Sequence, residues 1–381
     1  MKLLHVSDLH IGKRVHEFPM IEDQRHILAQ IVGTIRERDV NALLIAGDIY
    51  DKSSPSAEAV ALFDDFLCAV ADLNVPCLAV AGNHDSQERI AYASRLLASR
   101  NVYLSPVFDG AIDHVTLHDE HGPVTFWLIP YLRFSEIKSC FDEFDGDYTD
   151  AMAKLIGQSG VNPEERNVAL AHQFVTWQSV QPERSDSEIG NIGGVDNIDA
   201  RAFDVFDYVA LGHIHRPQRI GRDTVRYSGS PLKYSISEAP WPKSMPLVTL
   251  GKKGSVDFEL IPFKPLHDLR EIRGPLADLT SPDVVGAADA EDYLHVTLTD
   301  EEPWIDAMSR LREHYPNVMR LDYDNVATRS ASQAAVSAPG ELESMSSEDL
   351  FAEFFEMRTG MPLTQAQTDL VHAVLTECGA K

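Results

Sequence analysis

The segment Ala42-Leu-Leu-Ile-Ala-Gly-Asp-Ile-Tyr-Asp51 contains the pattern on which the fold of this chain depends. Its first five residues, Ala42–Ala46, form a short apolar run that predicts a buried β-strand. The run leads directly into Gly47 and then into the carboxylates of Asp48 and Asp51. Strands of an α/β sheet place ligand-binding side chains beyond their carboxyl ends in this way.

The same arrangement recurs along the first part of the chain. Short apolar runs rich in Val, Leu and Ile predict four more strands, at Lys2–Val6, Cys77–Ala81, Val168–Ala171 and Tyr208–Leu211. Segments with helical periodicity separate them, as in Ile27, Leu28, Ile31 and Ile35. This alternation predicts an α/β fold from the start of the chain to about residue 265.

Each of the five runs leads into a cluster of oxygen or imidazole side chains. A single cluster of this kind is usually a turn or a helix cap. Five clusters in the same position after five strands would rarely arise by chance, so we expect them to converge on one point. The clusters are Ser7-Asp8-Leu9-His10, Gly47–Asp51, Gly82-Asn83-His84-Asp85, Ala171-His172-Gln173 and Gly212-His213-Ile214-His215.

The residue types in these clusters indicate a metal centre. Imidazole, carboxylate and amide groups without a thiolate suit Mn²⁺, Fe²⁺ or Zn²⁺ better than a structural zinc ion. The side chains outnumber the ligands of one tetrahedral ion, so we expect two ions. Asp48 is the expected bridge between them, because its strand is central and ligands lie on both sides of it. Two such ions can clamp the oxygens of a phosphoryl displacement.

The composition limits the possible partners and the cellular compartment. A formal charge of −26 argues against a strongly cationic nucleic-acid binder. It leaves such a partner open, because metal ions or another subunit could supply positive charge. Four scattered cysteines (Cys68, Cys77, Cys140 and Cys378) predict neither a disulfide framework nor a thiolate zinc site. We expect no signal peptide and no membrane span, and therefore a cytoplasmic protein.

The rest of the chain predicts smaller units. Three strands at 270–274, 293–298 and 318–323, separated by helical stretches, indicate a small α+β unit over 266–326. An Ala- and Ser-rich linker is predicted over 327–340. Two helices are predicted over 341–381, with capping boxes at Ser346 and Asp349 and at Thr364 and Gln367. The apolar faces of these two helices could fold back onto the chain or dock into the groove of a partner.

The five clusters, in order and without a missing ligand, resemble the motifs of the calcineurin-like metallophosphoesterases. Within that superfamily the chain is similar to the nuclease subunits of bacterial SbcCD complexes, over nearly its whole length. The resemblance rests also on Ala210–Gln218, on the turn Tyr227-Ser-Gly-Ser-Pro231 and on the terminal helices. It implies a β-sandwich flanked by helices, a small α+β cap domain and a C-terminal helix pair.

The resemblance also implies roles for individual residues. One ion is expected on Asp8, His10, Asp48 and His215, and the other on Asp48, Asn83, His172 and His213. His84 is expected to steady or protonate the leaving oxygen, and Asp51 to orient His84 as a neighbouring carboxylate. The loop with Lys13, Arg14 and His16 either meets the DNA backbone or is a solvated turn.

The function implied by the resemblance is hydrolysis of DNA phosphodiesters with two divalent ions, most simply Mn²⁺. Expected activities are 3′–5′ exonuclease on duplex ends and endonuclease on single strands and hairpins, for DNA end processing, repair and recombination. The expected partners are DNA and an SbcC-type ATPase bound through the C-terminal helices, with a homodimer inside a heterotetramer. A small-molecule or cyclic-nucleotide phosphodiesterase remains the alternative, although such an enzyme has little use for the C-terminal third.

Overall fold

The computed structural model describes residues 1–178, 180–188, 197–326, 328–329, 347–359 and 362–377. It divides the chain into two compact units, Met1–Asp268 and Leu269–Lys381. The finer domain limits expected from the sequence stay predictions. Most of the predicted linker, 327–340, and the predicted cap residue Ser346 lie outside the described residues.

Two six-stranded sheets form the frame of the first unit. Its strands are β1 (Lys2–Val6), β2 (Arg14–Val15), β3 (Phe18–Pro19), β4 (Ala42–Ala46), β5 (Cys77–Val80), β6 (Val102–Leu104), β7 (Asp113–Asp119), β8 (Gly122–Ile129), β9 (Arg166–His172), β10 (Val175–Thr176), β11 (Ile198–Asp199), β12 (Tyr208–Gly212), β13 (Gln218–Ile220), β14 (Arg222–Tyr227), β15 (Ser244–Leu250) and β16 (Val256–Pro262). One sheet has the order β16-β15-β1-β4-β5-β6 and the other β13-β14-β12-β9-β8-β7. Their central strands are parallel, whereas β7, β13, β15 and β16 pair antiparallel.

The two sheets pack face to face around a shared apolar core. In β9, Val168 and Leu170 belong to this core between the sheets. Ala169 and Ala171 belong to a second core on the outer face, together with Met152. The central strands are therefore buried on both faces, which explains their continuous apolar runs. The predicted β-sandwich flanked by helices is confirmed.

Helices cover the outer faces of the sandwich. They are α1 (Ile21–Glu37), α2 (Ala57–Asp72), α3 (Gln87–Ile90), α4 (Ser94–Leu97), α5 (Phe134–Lys138) and α6 (Tyr148–Gln158), with 3₁₀ turns at Ala98–Arg100, Ala200–Phe203 and Ile236–Glu238. All four predicted apolar residues of α1 are buried. Helix α2 begins at an N-cap, where the Ser56 side chain accepts a hydrogen bond from the Ala59 N–H.

The second unit contains a three-stranded parallel sheet. Its strands are β17 (Leu269–Gly274), β18 (Tyr293–Leu298) and β19 (Val318–Tyr323), in that order. The connecting helices are α7 (Leu276–Leu279), α8 (Pro282–Val285) and α9 (Ala307–Arg312). They pack on one face of the sheet over buried Leu294, Val296 and Leu311. The three strands expected from the sequence are present.

Two further helices follow in the second unit, α10 (Ser347–Thr359) and α11 (Gln365–Glu377). Before α11, the Thr364 N–H donates to the Gln367 side chain at 2.8 Å, which is half of the expected capping box. Phe351 and Phe354 on α10, like Leu370 and Val374 on α11, are exposed. No helix in the described part of the chain is long and apolar enough to cross a bilayer.

Gly212 ends β12 at a point where the two sheets come very close together. A Cβ atom at this position would lie 1.8 Å from the carbonyl oxygen of Ala46 in β4. We therefore expect Gly212→Ala to lower the free energy of unfolding by about 1–3 kcal/mol or more, because backbone must move to admit the methyl group. Urea unfolding would measure the change.

Gly157→Ala is the matched control. Gly157 lies in α6, and among the described residues outside its own helix no heavy atom lies within 4 Å of its added Cβ. Alanine is favoured over glycine inside a helix by ~1 kcal/mol. Stability should stay level or rise. Equal stability of both variants would show that the sheets are not in close contact at Gly212.

Candidate metal centre

The clusters that follow the five strands meet at one end of the sandwich. Strands β1, β4 and β5 lie in one sheet, and β9 and β12 lie in the other. Convergence therefore comes from stacking two sheets with their carboxyl ends together, as the predicted β-sandwich allows. Across the stack, His172 Nδ1 lies 2.8 Å from the Ala46 carbonyl oxygen, and the His213 N–H donates to Asp8 at 3.0 Å.

Left-handed backbone conformations aim several of these side chains. Asp8, His10, Asp48 and His213 have φ values of 52°, 45°, 47° and 102°. Such conformations cost roughly 1–2 kcal/mol per residue in an L-amino acid. Hydrogen bonds hold the turns in place, since the Asp8 N–H donates to the Gly47 carbonyl and the His10 N–H to the Asp48 carbonyl. Strain of this kind is typical of functional sites.

Asp8, His10, Asp48 and His215 form the first expected ion set. The Nε2 atoms of His10 and His215 lie 3.1 Å apart, and Asp48 Oδ2 lies 3.6 Å from His10 Nε2. Ligand atoms of Asp8, His10 and His215 all fall within 4.8 Å of one another. All four side chains are buried. Asp8, His10 and His215 are thus close enough to share one cation.

Asp48, Asn83, His172 and His213 form the second expected set. Asn83 Oδ1 lies 3.0 Å from His172 Nε2 and 2.8 Å from His213 Nδ1. Asp48 Oδ2 lies 3.4 Å from His172 Nε2. The same Asp48 oxygen thus lies near ligands of both sets. Its position is that of the bridge expected from the sequence, and the assignment of ligands stays a prediction.

The hydrogen bonds of the imidazoles indicate that these sets fit a cation. His172 Nδ1 faces a carbonyl, which can only accept, so Nδ1 carries the hydrogen. His215 Nδ1 faces the Glu238 carboxylate at 3.2 Å and carries the hydrogen as well. When either ring is neutral, its Nε2 atom therefore has no hydrogen. Its lone pair points toward the oxygen and nitrogen acceptors of neighbouring side chains. Acceptors without a donor repel one another unless a cation or a proton lies between them.

The pKa of His172 also indicates that the site favours positive charge. Burial lowers the pKa of this imidazole, but the carboxylates of Asp48 and Asp8 outweigh burial and raise it to about 9. By contrast, burial and the nearby His172 lower the pKa of His213 to about 3. The centre therefore stabilises one added positive charge beside Asp48, which a divalent ion would supply.

Asp85 supports the turns that carry the ligands, a role that the sequence did not reveal. Its carboxylate accepts the N–H groups of Ile49, Tyr50 and Gly82 at 3.0, 2.9 and 2.9 Å. Burial and the charge of Asp48 raise the pKa of Asp85 to about 6. In the sequence, the one sign of this role is that Asp85 directly follows His84 in the third cluster.

Glu238 is the second supporting residue that the sequence did not reveal. Its Oε1 faces His215 Nδ1 at 3.2 Å, and its Oε2 accepts from Lys243 Nζ at 2.6 Å. Lys243 also donates to the His215 carbonyl oxygen at 2.8 Å. A carboxylate behind a ligating histidine fixes its ring orientation. Nothing in the local sequence around Glu238 marks this role.

A sequence model of the calcineurin-like phosphoesterase family matches residues 1–217, more than half of the chain. The chain belongs to this family. A second model, described as the type 5 capsule protein repressor C-terminal domain, matches residues 265–359. Membership in the calcineurin-like phosphoesterases makes the chain a hydrolase of phosphate esters and implies divalent metal ions, which the donor clusters around Asp48 fit.

Individual proteins are similar to the chain as well. The SbcD nuclease subunit of SbcCD from Staphylococcus epidermidis is 29% identical over 381 residues, covering 99% of this chain and 98% of that protein. Among solved structures, TT1561 of Thermus thermophilus has 12% identity and a TM-score of 0.38, covering 68% of this chain and 98% of its own. A dimetal phosphatase from Danio rerio has 12% identity and a TM-score of 0.36, covering 69% and 99%. TM-scores this low carry no weight for the fold or the function.

His84 and Asp51, the expected catalytic residues, lie beside the ligands of this calcineurin-like centre. His84 Nδ1 donates to the backbone carbonyl of Asp51 at 2.9 Å. The Asp51 carboxylate instead accepts from Lys13 Nζ at 2.8 Å. Asp51 thus meets His84 through its main chain and not through the carboxylate that was expected to orient it. Ligand atoms of His84, His10 and Asp48 also lie within 4.8 Å of one another.

The loop expected to meet DNA forms a small hairpin of β2 and β3. Lys13 turns toward the site, because its ammonium binds Asp51 and lies 5.6 Å from the centre of the Tyr234 ring. Arg14 and His16 are exposed. Contact between this loop and DNA stays a prediction.

Asp48→Ala should remove the oxygen that lies near both ion sets. We expect elemental analysis after gel filtration to find fewer than two Mn²⁺ per chain, with loss of phosphodiesterase activity. The exposed Asp142→Ala variant is the control and should keep the full complement. Two ions retained in Asp48→Ala would contradict the bridging position.

Proposed function

We propose that this chain is the metal-dependent nuclease subunit of a DNA-processing complex with an SbcC-type ATPase. The observation that carries the proposal is the similarity to the SbcD nuclease subunit of Staphylococcus epidermidis along nearly the full length of both chains. The buried donors around Asp48 support it, because two ions near one bridging carboxylate suit hydrolysis of a phosphodiester. Both units of the chain take part in this similarity, so the C-terminal third has a role.

The proposed cofactors are two Mn²⁺ ions, one on Asp8, His10, Asp48 and His215 and one on Asp48, Asn83, His172 and His213. Bound ions would polarise the phosphate and acidify a water molecule. The protein holds these ligand side chains in place on the turns that follow the five strands. Asp85 and Glu238 support this by fixing the turns and the ring of His215.

His84 is proposed to act on the leaving oxygen. Its Nδ1 hydrogen is committed to the Asp51 carbonyl, so Nε2 is the ring atom left for a proton at the scissile bond. The backbone hydrogen of His84 is bound to Asp48 Oδ1 at 2.9 Å. The imidazole is thereby positioned relative to the proposed bridging carboxylate, as a general acid requires.

The acidic charge of the chain is compatible with DNA as substrate. Two divalent ions add about four positive charges at the scissile phosphate, and the ATPase would add further contacts. We expect weak, salt-sensitive DNA binding by the chain alone. The proposed activities are 3′–5′ exonuclease and single-strand or hairpin endonuclease, in the cytoplasm, for DNA repair, recombination and replication.

A homodimer within a heterotetramer is part of the proposal. Tyr92 and Leu96, four residues apart after the third ligand cluster, are 80% and 76% exposed. Contiguous exposed apolar surface marks contact sites on proteins. We assign this pair to contact with a second copy of the chain, which would place two nuclease sites in one complex.

The function is tested by supplying Mn²⁺-loaded protein with a blunt duplex, a DNA hairpin and bis-p-nitrophenyl phosphate. Cleavage of both DNA substrates, lost on chelation and restored by Mn²⁺, is the expected result. Hydrolysis of the nitrophenyl ester without any DNA cleavage, with or without the ATPase, would favour a small-molecule phosphodiesterase instead.

His84→Ala should separate chemistry from metal binding. We expect both ions to remain while turnover on DNA falls about 10²–10⁴-fold, as for loss of a positioned acid. The loss should be smaller on the nitrophenyl ester, because its leaving group needs little protonation. Asp51→Asn should lose much less activity, since it keeps the carbonyl that binds His84. Equal losses of His84→Ala on both substrates would mean that His84 only shapes the site.

The C-terminal helices α10 and α11 are proposed to dock on the SbcC-type ATPase. Phe351 and Phe354 expose 41% and 54% of their surface, so their apolar rings are available to a partner. The exposed Glu356 nearby suits a basic rim around an apolar groove. With this assignment, residues 1–265 are the nuclease domain, 266–326 the cap domain and 341–381 the ATPase-binding helices.

Phe351→Ala combined with Phe354→Ala tests this docking. Burial of one Phe is worth roughly 1.5–3 kcal/mol, so we expect affinity for the ATPase to fall at least tenfold in a titration by fluorescence anisotropy. Hydrolysis of the nitrophenyl ester should not change. The exposed, polar Gln365→Ala control on α11 should bind normally. Unchanged affinity of the double variant would place the docking surface elsewhere.

A further inference from the structure

The segment Glu183–Glu188, here called the strap, lies against the loop that carries His215. The Glu183 N–H donates to Gln218 Oε1 at 3.0 Å, and Gln218 Nε2 donates back to the Glu183 carbonyl at 2.8 Å. Further along, the Asp186 N–H donates to Ser237 Oγ at 2.9 Å. These bonds tie the strap to two segments of the site and give its side chains defined positions.

The end of the strap contacts a proposed ligand directly. Glu188 Oε1 accepts the backbone N–H of His215 at 2.8 Å and the Ser185 hydroxyl at 3.1 Å. Ser187 Oγ lies 2.8 Å from His215 Nδ1 and donates to Glu238 at 2.7 Å. The strap therefore holds His215 at both its backbone and its ring.

The second carboxylate oxygen of Glu188 has a different environment. Oε2 is buried and has no hydrogen-bond partner among the residues that the structure describes. The carboxylate interacts electrostatically with His215 and Asp8, two donors of the first ion set. An unpaired buried polar atom destabilises the folded protein. A bound ligand that carries a hydrogen-bond donor would satisfy this oxygen and remove the destabilisation.

We propose that Glu188 is a positioning residue of the first ion site, acting behind the direct ligands. Oε1 fixes His215 through its backbone, and Oε2 accepts a hydrogen bond from a water molecule that the cation brings. The carboxylate also adds negative charge next to Asp8, which favours a divalent ion. This inference rests on the proposed two-ion site, and it adds a residue that lies in none of the five ligand clusters.

Calorimetric titration of metal-free full-length protein with MnCl₂ tests the proposal without any activity assay. Glu188→Gln keeps an oxygen for the His215 N–H but replaces the second acceptor by a donor and removes the charge. We expect one of two Mn²⁺ affinities to fall about 10–100-fold, as for loss of a residue behind a ligand, and the other to stay. Glu188→Ala should lose at least as much.

Asp186→Asn is the matched control, because it makes the same carboxylate-to-amide change on the strap at an exposed side chain. It should bind Mn²⁺ like the wild type, and both this control and Glu188→Gln should keep the unfolding temperature of the metal-free protein. Wild-type affinity in Glu188→Gln would overturn the role of Oε2. Loss of both ions with a lowered unfolding temperature would overturn the proposal in favour of a structural role. If the wild-type protein binds two ions but does not cleave DNA, that result would count against the nuclease function and not against the role of Glu188.

Discussion

The contact between the Ala46 carbonyl and His172 Nδ1, 2.8 Å long, joins the end of a strand in one sheet to the end of a strand in the other. Gly212 allows this approach, because any Cβ there would collide with the same carbonyl oxygen. Gly47 is required as well, since its Cβ would lie 2.3 Å from the His172 ring. The metal centre depends on this constraint, because donors from five strands meet only if the sheets touch at these ends.

Burial of so many polar groups at this junction has an energetic consequence. Four donors have left-handed backbones, and His10, Asp48 and His172 lie in the interior with acceptor atoms facing one another. Packing of the sandwich core and the hydrogen bonds accepted by Asp85 and Glu238 offset these costs. The fold therefore stabilises an arrangement that attracts cations before any cation arrives, which is pre-organisation of a catalytic site.

Much of this arrangement could be predicted from the sequence, because apolar runs that lead directly into Asp, Asn or His leave a local signature. The runs before Asp8, Asp48, Asn83, His172 and His213 became strands with these residues at their ends. The division of the strands between two sheets was not visible in the apolar runs, since burial on both faces looks alike in either case. Glu188 and Glu238 were missed because their contacts with His215 span 27 and 23 residues. Asp51 contacts His84 as expected, but through its backbone carbonyl and not through its carboxylate. The sequence does not show which group of a residue makes a contact.

The central claim is that one carboxylate oxygen of Asp48 lies between two cation sites, each built from residues of both sheets. Anomalous diffraction from crystals grown with Mn²⁺ tests it most directly. The account predicts two peaks about 3.5–4 Å apart, both in contact with Asp48, with His10 and His215 at one and Asn83 and His172 at the other. A single peak, or two peaks of which one lies beyond the reach of Asp48, would contradict it.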